Sequence, residues 1–192
     1  MAEGIDRRAA RSRKALHSAL MSLILRKGYD AITVQDIIEE ADVGRSTFYA
    51  HYTGKEDLLR SGFQTLRREL KEAQHAARSK AEGSCEEPLG FSLAMFEHVA
   101  RYTDAWYALV GGRGGVVVES EIRKVLAEIA REGLKGLKDD AAVPQELRVQ
   151  FVVSTFFTVL AWWLDRRLGL PAAEVDGMLR RLVLDGIGRP SS

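Results

Sequence analysis

The sequence predicts an all-α protein, with a small N-terminal three-helix domain followed by a larger C-terminal helical bundle. Apolar residues recur three or four positions apart through most of the 192-residue chain, which is the period of an amphipathic helix. No segment alternates apolar and polar residues in the way that a half-buried β-strand does. Glycine, proline and small polar residues interrupt the helical pattern and mark where one helix ends and the next begins.

The composition is that of a globular protein in a reducing compartment. Hydrophobic residues make up 46% of the chain and charged residues 29%, a balance unlike that of a disordered chain. A single cysteine, Cys85, excludes an internal disulfide and a cysteine-rich metal site. The N-terminal stretch MAEGIDRRAARSRK lacks the apolar core of a secretory signal. The longest apolar run, at 151–164, is shorter than the roughly 18–20 residues that span a bilayer. We therefore expect a cytoplasmic protein that does not enter the membrane.

The charge is low overall but uneven along the chain. The formal net charge is +1, whereas proteins that bind nucleic acid are often strongly basic. The basic residues near the N-terminus face only two acidic ones, Glu3 and Asp6. These basic residues are Arg7, Arg8, Arg11, Arg13 and Lys14. On charge alone, this segment is either a solubilising tail or an arm that contacts phosphates.

The first helix is predicted over residues 9–27 and the second helix from Thr33. Gly28 ends the first helix, and its apolar stripe consists of Leu16, Ala19, Leu20, Leu23 and Ile24. The Thr33 hydroxyl can cap the second helix, and Asp36 stands three positions later, as in a capping box. The apolar residues of the second helix have helical spacing and are Val34, Ile37, Ile38 and Ala41.

A short third helix and a longer fourth helix follow a tight turn. Asp42-Val43-Gly44 breaks the second helix, because Asp tolerates turn geometry and Gly accepts positive φ. The third helix covers about 45–51, and Thr53-Gly54 ends it. The fourth helix begins near Lys55, and its apolar stripe is Leu59, Phe63, Leu66 and Leu70.

The second half of the chain contains a linker candidate and four further helices. The polar segment SKAEGSCEE at 79–87 is the best linker candidate, and Pro88 suits the first turn of a new helix. That helix is expected to bury Phe91, Met95, Phe96 and Val99. GGRGG at 111–115 lacks the Gly-Lys-Ser/Thr of a phosphate-binding loop, so we interpret it as a connector or a mobile lid. The remaining helices are predicted at about 116–138, 144–168 and 172–187.

The turn between the second and third helices gives the N-terminal domain the pattern of a helix-turn-helix, whose second helix can enter the major groove of DNA. Phe48 lies on the side of the third helix that faces the second helix, so we expect it to anchor the third helix in the core. Arg45, Ser46 and Tyr49 lie on another face. Arginine at a helix start can donate twice to a guanine edge, and hydroxyl groups can reach bases or phosphates. A solvated helix face is the alternative that spacing alone leaves open.

The segment TVQDIIEEADVGRSTFYAHYTGKEDLL, from Thr33 to Leu59, resembles the DNA-binding domain of TetR/AcrR-type transcriptional regulators. A helix opening on Thr-Val, an Ala-x-Val turn, a Thr-Phe-Tyr recognition helix and a Lys-Glu-x-Leu entry to the fourth helix occur together in that family. The similarity covers about residues 10–70, with the helix-turn-helix at about 33–52, and 71–188 is expected to form a second domain. The resemblance implies DNA contacts at Thr33, Arg45, Ser46, Thr47, Tyr49, His51 and Lys55, and a packing role for Tyr52. It also favours DNA contact for the basic N-terminal segment, which would lie just before the first helix.

Two positions depart from the family pattern. Asp42 and Gly44 stand where glycine and serine, respectively, are common. Both residues suit turns, so the expected fold is unaffected. The hydroxyl that a serine at position 44 could offer to a phosphate is absent.

Apolar surface in the last two helices predicts a dimer. The run at 151–164 is apolar almost all round, and a helix of that kind must be covered on more than one side. The final helix adds the stripe Val175, Met178, Leu179, Leu182 and Val183. We expect a C2 homodimer in which these two helices meet their symmetry mates in a four-helix interface, and the resemblance implies the same. A monomer with a thicker core is the alternative.

The resemblance also implies that the C-terminal bundle binds a small molecule. Candidate ligand-binding residues are Phe96, His98, Tyr102, Trp106, Tyr107, Phe156 and Trp162. A repressor would bind a palindromic operator in double-stranded DNA until a small apolar inducer favours a state that cannot bind DNA. A DNA-binding architectural protein without an inducer and a transcriptional activator are the alternatives.

An enzyme is not expected. The four histidines, His17, His51, His75 and His98, lack the spacing of a helical metal site. Cys85 lies in a polar segment with no histidine near it in sequence, so nucleophilic catalysis has no support. We expect no catalytic residue, metal or cofactor.

Overall fold

The computed structural model describes residues 2–80, 87–109, 112–136, 143–165 and 169–186, and all regular structure within these ranges is helical. The predicted all-α fold is therefore confirmed. The helices are α1 (Ala2–Lys27), α2 (Val34–Ala41), α3 (Arg45–Tyr49), α4 (Lys55–Ser61), α5 (Phe63–Lys80), α6 (Ser92–Arg101), α7 (Thr103–Leu109), α8 (Arg113–Gly133), α9 (Gln145–Asp165) and α10 (Ala172–Leu184). A 3-10 turn, Leu134–Gly136, follows α8. Cys85 and most of the predicted linker lie outside the described residues, as does Gly111 of the predicted connector.

The predicted fourth helix is two helices, α4 and α5, which meet at Gly62. A Cβ atom at position 62 would lie 3.1 Å from the His17 ring of α1, so the chain passes close to α1 at this point. His17 Nε2 also lies 2.7 Å from the Ser61 hydroxyl. The break thus coincides with close packing on α1, a contact between residues far apart in sequence.

The predicted helix beginning at Pro88 starts later, at Ser92. The buried Gln74 side chain holds the preceding segment as a turn, because its amide donates to the Glu87 carbonyl over 2.7 Å. The same side chain accepts a hydrogen bond from the Phe91 backbone N–H over 3.2 Å. The predicted burial of this helix is confirmed, since Phe91, Met95, Phe96 and Val99 are all buried.

The chain divides into two compact units. The N-terminal unit comprises Met1–Leu66 and Tyr102–Ile122, and the C-terminal unit comprises Arg67–Arg101 and Arg123–Ser192. The first boundary falls close to residue 70, where the sequence predicts a domain to end. The second part of the N-terminal unit differs from the prediction, because α7 packs against α1. Sequence order alone does not reveal this return of the chain.

The core of the N-terminal unit is built on α1, which packs against α2, α4 and α7. The predicted stripe of α1 is buried throughout: Leu16, Ala19, Leu20, Leu23 and Ile24. Ile37 and Ile38 of α2, Phe48 of α3 and Leu58 of α4 are also buried. The helix-turn-helix therefore rests on α1 as a supporting helix.

The core of the C-terminal unit contains α9, which packs with α10, while α10 also packs with α6. The ring centroids of Phe96 and Phe156 are 4.9 Å apart, and Trp163 stands edge-on to Phe96 at 5.8 Å. By length and composition alone, the 21-residue α9 is apolar enough to cross a membrane. This differs from the sequence prediction, which counted only the apolar run at 151–164 and found it shorter than a membrane span. The side chains that it buries in this unit, from Val149 to Leu164, give it the character of a core helix.

A buried polar network attaches α10 to the turn before α6. Asp176 is buried and bonds to the Ser92 hydroxyl and, over 2.7 Å, to Arg180 Nε. Arg180 also pairs with Glu87 and donates to the Leu89 carbonyl over 2.8 Å. Because each buried charge has a partner, the network fixes α10 without leaving an isolated charge in the core.

Candidate DNA-binding surface and small-molecule groove

The start of α2 is held by a complete capping box, as the sequence predicts. The Asp36 N–H donates to Thr33 Oγ1 over 3.2 Å, and the Thr33 N–H donates to Asp36 Oδ2 over 2.7 Å. The Thr33 hydroxyl itself lies 2.7 Å from Asp36 Oδ2 and donates to it. Lys27 bonds to the same carboxylate over 2.9 Å and, with Thr33, holds the pKa of Asp36 well below its ordinary value. The single proton of the Thr33 hydroxyl is therefore directed to Asp36.

The turn between α2 and α3 has the geometry expected from its residues. Asp42 has φ 50° and ψ 50°, a left-handed conformation in which Asp is tolerated and Gly is favoured. The backbone N–H of Asp42 donates to Glu39, and that of Val43 donates to Ile38, both over 3.2 Å. Gly44 precedes α3 in an extended conformation and supplies no side-chain cap.

Helix α3 has one buried anchor and one exposed polar face. Phe48 is fully buried, and its ring contacts the rings of Tyr49 and Tyr52 at 5.3 and 5.9 Å. Tyr52 is buried, in agreement with its predicted packing role. Arg45 and Ser46 are exposed, and Tyr49 is 54% exposed. Of the other predicted contacts in this segment, Thr47 and His51 are half-buried. Four of the predicted DNA contacts, Arg45, Ser46, Thr47 and Tyr49, thus lie together on a short helix that the buried Phe48 anchors.

Lys55 has internal partners that its sequence position does not suggest. Its Nζ donates to the carbonyls of Ile32 at 2.7 Å, Tyr29 at 3.0 Å and Asp30 at 3.3 Å. It also lies 4.6 Å from the centre of the Tyr29 ring. An ammonium group has three donors, and three carbonyl oxygens surround this one. In this structure Lys55 holds the turn between α1 and α2, whereas a phosphate contact stays a prediction.

The predicted basic arm is part of α1, which begins at Ala2, so these residues are helical. Ala and Arg dominate the segment 7–13, and both residue types favour helix. Arg7, Arg11, Arg13 and Lys14 are exposed, while the side chain of Arg8 lies outside the described part of the chain. Phosphate contact by these residues would therefore come from the side of a helix.

The predicted dimer residues of α10 are divided between core and surface. Val175 and Leu179 are fully buried within one protomer, so they have no surface left for a partner. Met178 and Val183 are half-buried, and Leu182 is 38% exposed. Large exposed apolar side chains that were not predicted are Leu147 and Phe151 on α9 and Leu184 on α10. The four-residue spacing of Leu147 and Phe151 is a signal that a helical projection could have shown.

The predicted ligand residues belong to both units. Phe96, His98, Phe156 and Trp162 are in the C-terminal unit, where Phe96 and Phe156 pack ring against ring in the core. Burial lowers the pKa of the His98 imidazole, and Glu69 raises it in part. Tyr102, Trp106 and Tyr107 are in the N-terminal unit.

A groove of about 260 Å³ lies within the N-terminal unit, at the junction of α7 and α8. Its lining residues are Trp106, Leu109, Gly112, Gly115, Val116, Val118 and Glu119. Trp106 is the one predicted ligand residue among them. The others were missed because the sequence predicts a connector at 111–115 and gives no sign that the chain folds into a groove there.

Comparison with known proteins agrees with this architecture. The family model described as bacterial regulatory proteins, tetR family, matches residues 16–61. The uncharacterized HTH-type transcriptional regulator YxbF of Bacillus subtilis is 38% identical over 84 residues, which are 43% of this chain and 22% of that protein. This chain thus matches about a fifth of that relative's length.

Solved structures match nearly the whole chain. A TetR transcriptional regulator from Streptococcus agalactiae has a TM-score of 0.65 and 26% identity, and the match covers 95% of this chain and 99% of that one. FadR of Thermus thermophilus, a TetR-family repressor solved in complex with lauroyl-CoA, has a TM-score of 0.63 and 23% identity. That match covers 94% of this chain and 97% of FadR, and at this identity it shows a shared fold.

Proposed function

We propose that this chain, which is similar to TetR-type, DNA-binding transcriptional regulators, is a homodimeric repressor whose operator binding is relieved by a small apolar molecule. Its place of action would be the cytoplasm, where bacterial DNA is found. The observation that carries the proposal is the division of α3 into a buried Phe48 and an exposed face with Arg45, Ser46 and Tyr49.

Direct reading of bases is assigned to the exposed face of α3. Arg45 stands in the first turn of the helix and can donate two hydrogen bonds to a guanine edge. Ser46 and Thr47 would meet bases or phosphates, and Tyr49 and His51 would donate to phosphates. Thr33 and Lys55 would act mainly by fixing the ends of α2 and α4, because their donors already have partners within the protein.

Dimerisation is assigned to α9 and α10. Leu147, Phe151, Leu182 and Leu184 are large apolar side chains that stay exposed in the single protomer. Exposed apolar surface of this kind is typical of an interface, and a C2 axis would place two recognition helices on one palindromic site. Because Val175 and Leu179 are buried, their contribution would be to hold α10 in place.

Release from DNA is assigned to a shift between two states. The related FadR of Thermus thermophilus binds lauroyl-CoA. For this chain, we propose a small apolar ligand that binds the DNA-incompetent state more tightly. A preference of a few kcal/mol would suffice to empty the operator.

Selection of bound DNA from a random pool tests this function. We expect a symmetric site with two half-sites about one or a small number of helical turns apart, as a dimer of recognition helices requires. Recovery of DNA without any preferred sequence would favour an architectural protein and contradict the proposal. A reporter gene carrying the selected site then separates repression from activation, since an activator would raise expression.

A further inference from the structure

The groove between α7 and α8 has the chemistry of a small-molecule site. Of the residues that line it, Leu109 and Val118 are buried and Val116 is 71% exposed. The half-buried Trp106 adds a flat aromatic wall, and Glu119 adds carboxylate oxygens that can accept a hydrogen bond. At about 260 Å³ the groove fits a molecule of one or two rings better than a long acyl chain.

The same segment that forms the groove is bonded to the turn after α1. The backbone N–H of Arg113, at the start of α8, donates to Asp30 Oδ2 over 3.2 Å. A Cβ atom at Gly112 would lie 2.5 Å from the same Asp30 oxygen. A Cβ atom at Gly114 would lie 2.7 Å from the Tyr29 ring, so the backbone of this segment lies against the side chains of Tyr29 and Asp30 as closely as glycine allows. A ligand that displaces residues 112–116 would therefore also displace Tyr29 and Asp30.

The turn containing Tyr29 and Asp30 is in turn attached to the helix-turn-helix. Lys55, at the start of α4, donates to the carbonyls of Tyr29, Asp30 and Ile32. Ile32 is buried and is followed directly by Thr33, the residue that caps α2. Rigid packing of this kind transmits displacements because a packed core does not deform continuously.

We propose that the groove is the binding site of a small, neutral aromatic molecule with one hydrogen-bond donor, and that the turn of Tyr29 and Asp30 couples its occupancy to operator binding. The ring would lie against Trp106, and the donor would face Glu119. Asp30 is a positioning residue that acts through the start of α8. This inference rests on the proposed function, since it concerns how a ligand would release the operator.

The test uses 2-naphthol as the probe, a neutral molecule of two rings with one hydroxyl. Binding is followed by quenching of tryptophan fluorescence, and the Trp106→Phe variant removes the tryptophan of the groove while Trp162 and Trp163 remain. We expect saturating 2-naphthol to weaken binding of the selected operator by roughly tenfold, within the range common for coupled sites. Quenching should be largely lost in Trp106→Phe.

Asp30 variants separate coupling from binding. In Asp30→Ala, 2-naphthol should bind with unchanged affinity, while its effect on operator affinity falls to about twofold or less. Asp30→Asn keeps an oxygen that can accept from the Arg113 N–H and should retain most of the coupling. Asp104→Ala removes another exposed carboxylate of the same unit, in the first turn of α7, and should behave as the wild type.

Three results would overturn the inference: no quenching by 2-naphthol, quenching that persists fully in Trp106→Phe, or full coupling in Asp30→Ala. Lauroyl-CoA serves as the long-chain comparison, and tighter binding of lauroyl-CoA than of 2-naphthol would overturn the ligand class. Failure of the proposed function is distinguishable, because the wild type would then select no symmetric operator whether or not 2-naphthol binds in the groove.

Discussion

Arg45 and Phe48 stand one helical turn apart on α3 and have opposite environments. Phe48 is fully buried, whereas Arg45 is exposed. The sequence predicts this division, because the side of α3 on which each residue lies follows from its spacing to residues only a few positions away. Lys55 could not be predicted in the same way, since its three carbonyl partners lie 23 to 26 positions away. A lysine at a helix start has the same appearance in sequence whether it binds phosphate or protein.

Replacement of Arg45 by alanine tests base reading. Arg45→Ala should weaken operator binding by about 1–3 kcal/mol and relax the preference at one base position, because a bidentate contact to guanine is lost. The measurement is competition binding to the selected operator and to single-base variants of it. Lys14→Ala is the matched control, and it should weaken operator and random DNA alike. Equal losses on both DNAs in Arg45→Ala would show that this arginine contacts only phosphate.

The packing of His17 makes the stability of the N-terminal unit depend on pH. Burial lowers the pKa of the His17 imidazole from its ordinary value of 6.5. The Ser61 hydroxyl donates to the Leu58 carbonyl over 2.8 Å, so His17 Nε2, 2.7 Å away, must donate to Ser61. The folded protein therefore favours a neutral imidazole with its proton on Nε2.

The sign of the pH effect follows from that lowered pKa. Below about pH 6.5 the unfolded chain takes up a proton that the folded protein resists, so the free energy of unfolding falls as the pH falls through the folded pKa. His17→Gln keeps an N–H donor and should reduce this loss, as measured by urea unfolding between pH 7.5 and about 5. His75→Gln changes an exposed histidine and serves as control. An unaltered pH profile in His17→Gln would rule out this histidine as a source of the effect, although His98 should leave part of it in every variant.

At the level of elements, the ends of helices set by local bonds could be predicted, and those set by distant contacts could not. The capping box of Thr33 and Asp36 involves residues three positions apart, and the predicted start of α2 is confirmed. The break at Gly62 and the late start of α6 depend on His17 and Gln74, which approach from other helices. The groove at α7 and α8 escaped prediction for the same reason.

Thr33 offers a test of how much the capping box contributes. Thr33→Ala should lower the free energy of unfolding by about 1 kcal/mol, because the first turn of α2 loses its side-chain acceptor. Thr33→Ser keeps the hydroxyl and should stay close to the wild type in urea unfolding. Thr65→Ala, on the exposed side of α5, should be neutral or slightly stabilising, since alanine has the higher helix propensity. Equal stability of Thr33→Ala and the wild type would mean that the cap is replaced by water.

Across the whole molecule, exposed apolar residues on α9 and α10 are the feature that a single protomer does not account for. Phe151 is 51% exposed and Leu184 is 51% exposed, at positions where burial would be favourable. The sequence predicts an interface on these helices, but it assigns that interface partly to Val175 and Leu179, which the protomer core already covers. An amphipathic pattern shows which residues prefer burial, and it does not show which of two partners buries them.

A charge placed on this surface tests the dimer. Phe151→Glu and Leu182→Glu should each shift the protein toward the mass of a monomer in light scattering, because a carboxylate would have to be buried at the interface. Operator binding should weaken in parallel, since one recognition helix reads only half of a palindromic site. Leu25→Glu, at a 55% exposed position of α1, is the control and should leave the mass unchanged. A dimer that persists in both test variants would contradict the assigned interface.

The N-terminal unit is assembled from two stretches of chain, Met1–Leu66 and Tyr102–Ile122, and this has a consequence for synthesis. The first stretch, which contains the helix-turn-helix, leaves the ribosome before the second stretch, which completes its packing. At synthesis rates of roughly 5–20 residues per second, α7 follows α1 after several seconds. Before α7 is synthesised, the side of α1 that packs against α7 is exposed to solvent and can contact other nascent chains. The N-terminal unit can therefore complete its packing only after residues 102–122 are translated. A chain truncated before Tyr102 would carry the helix-turn-helix without the support of α7.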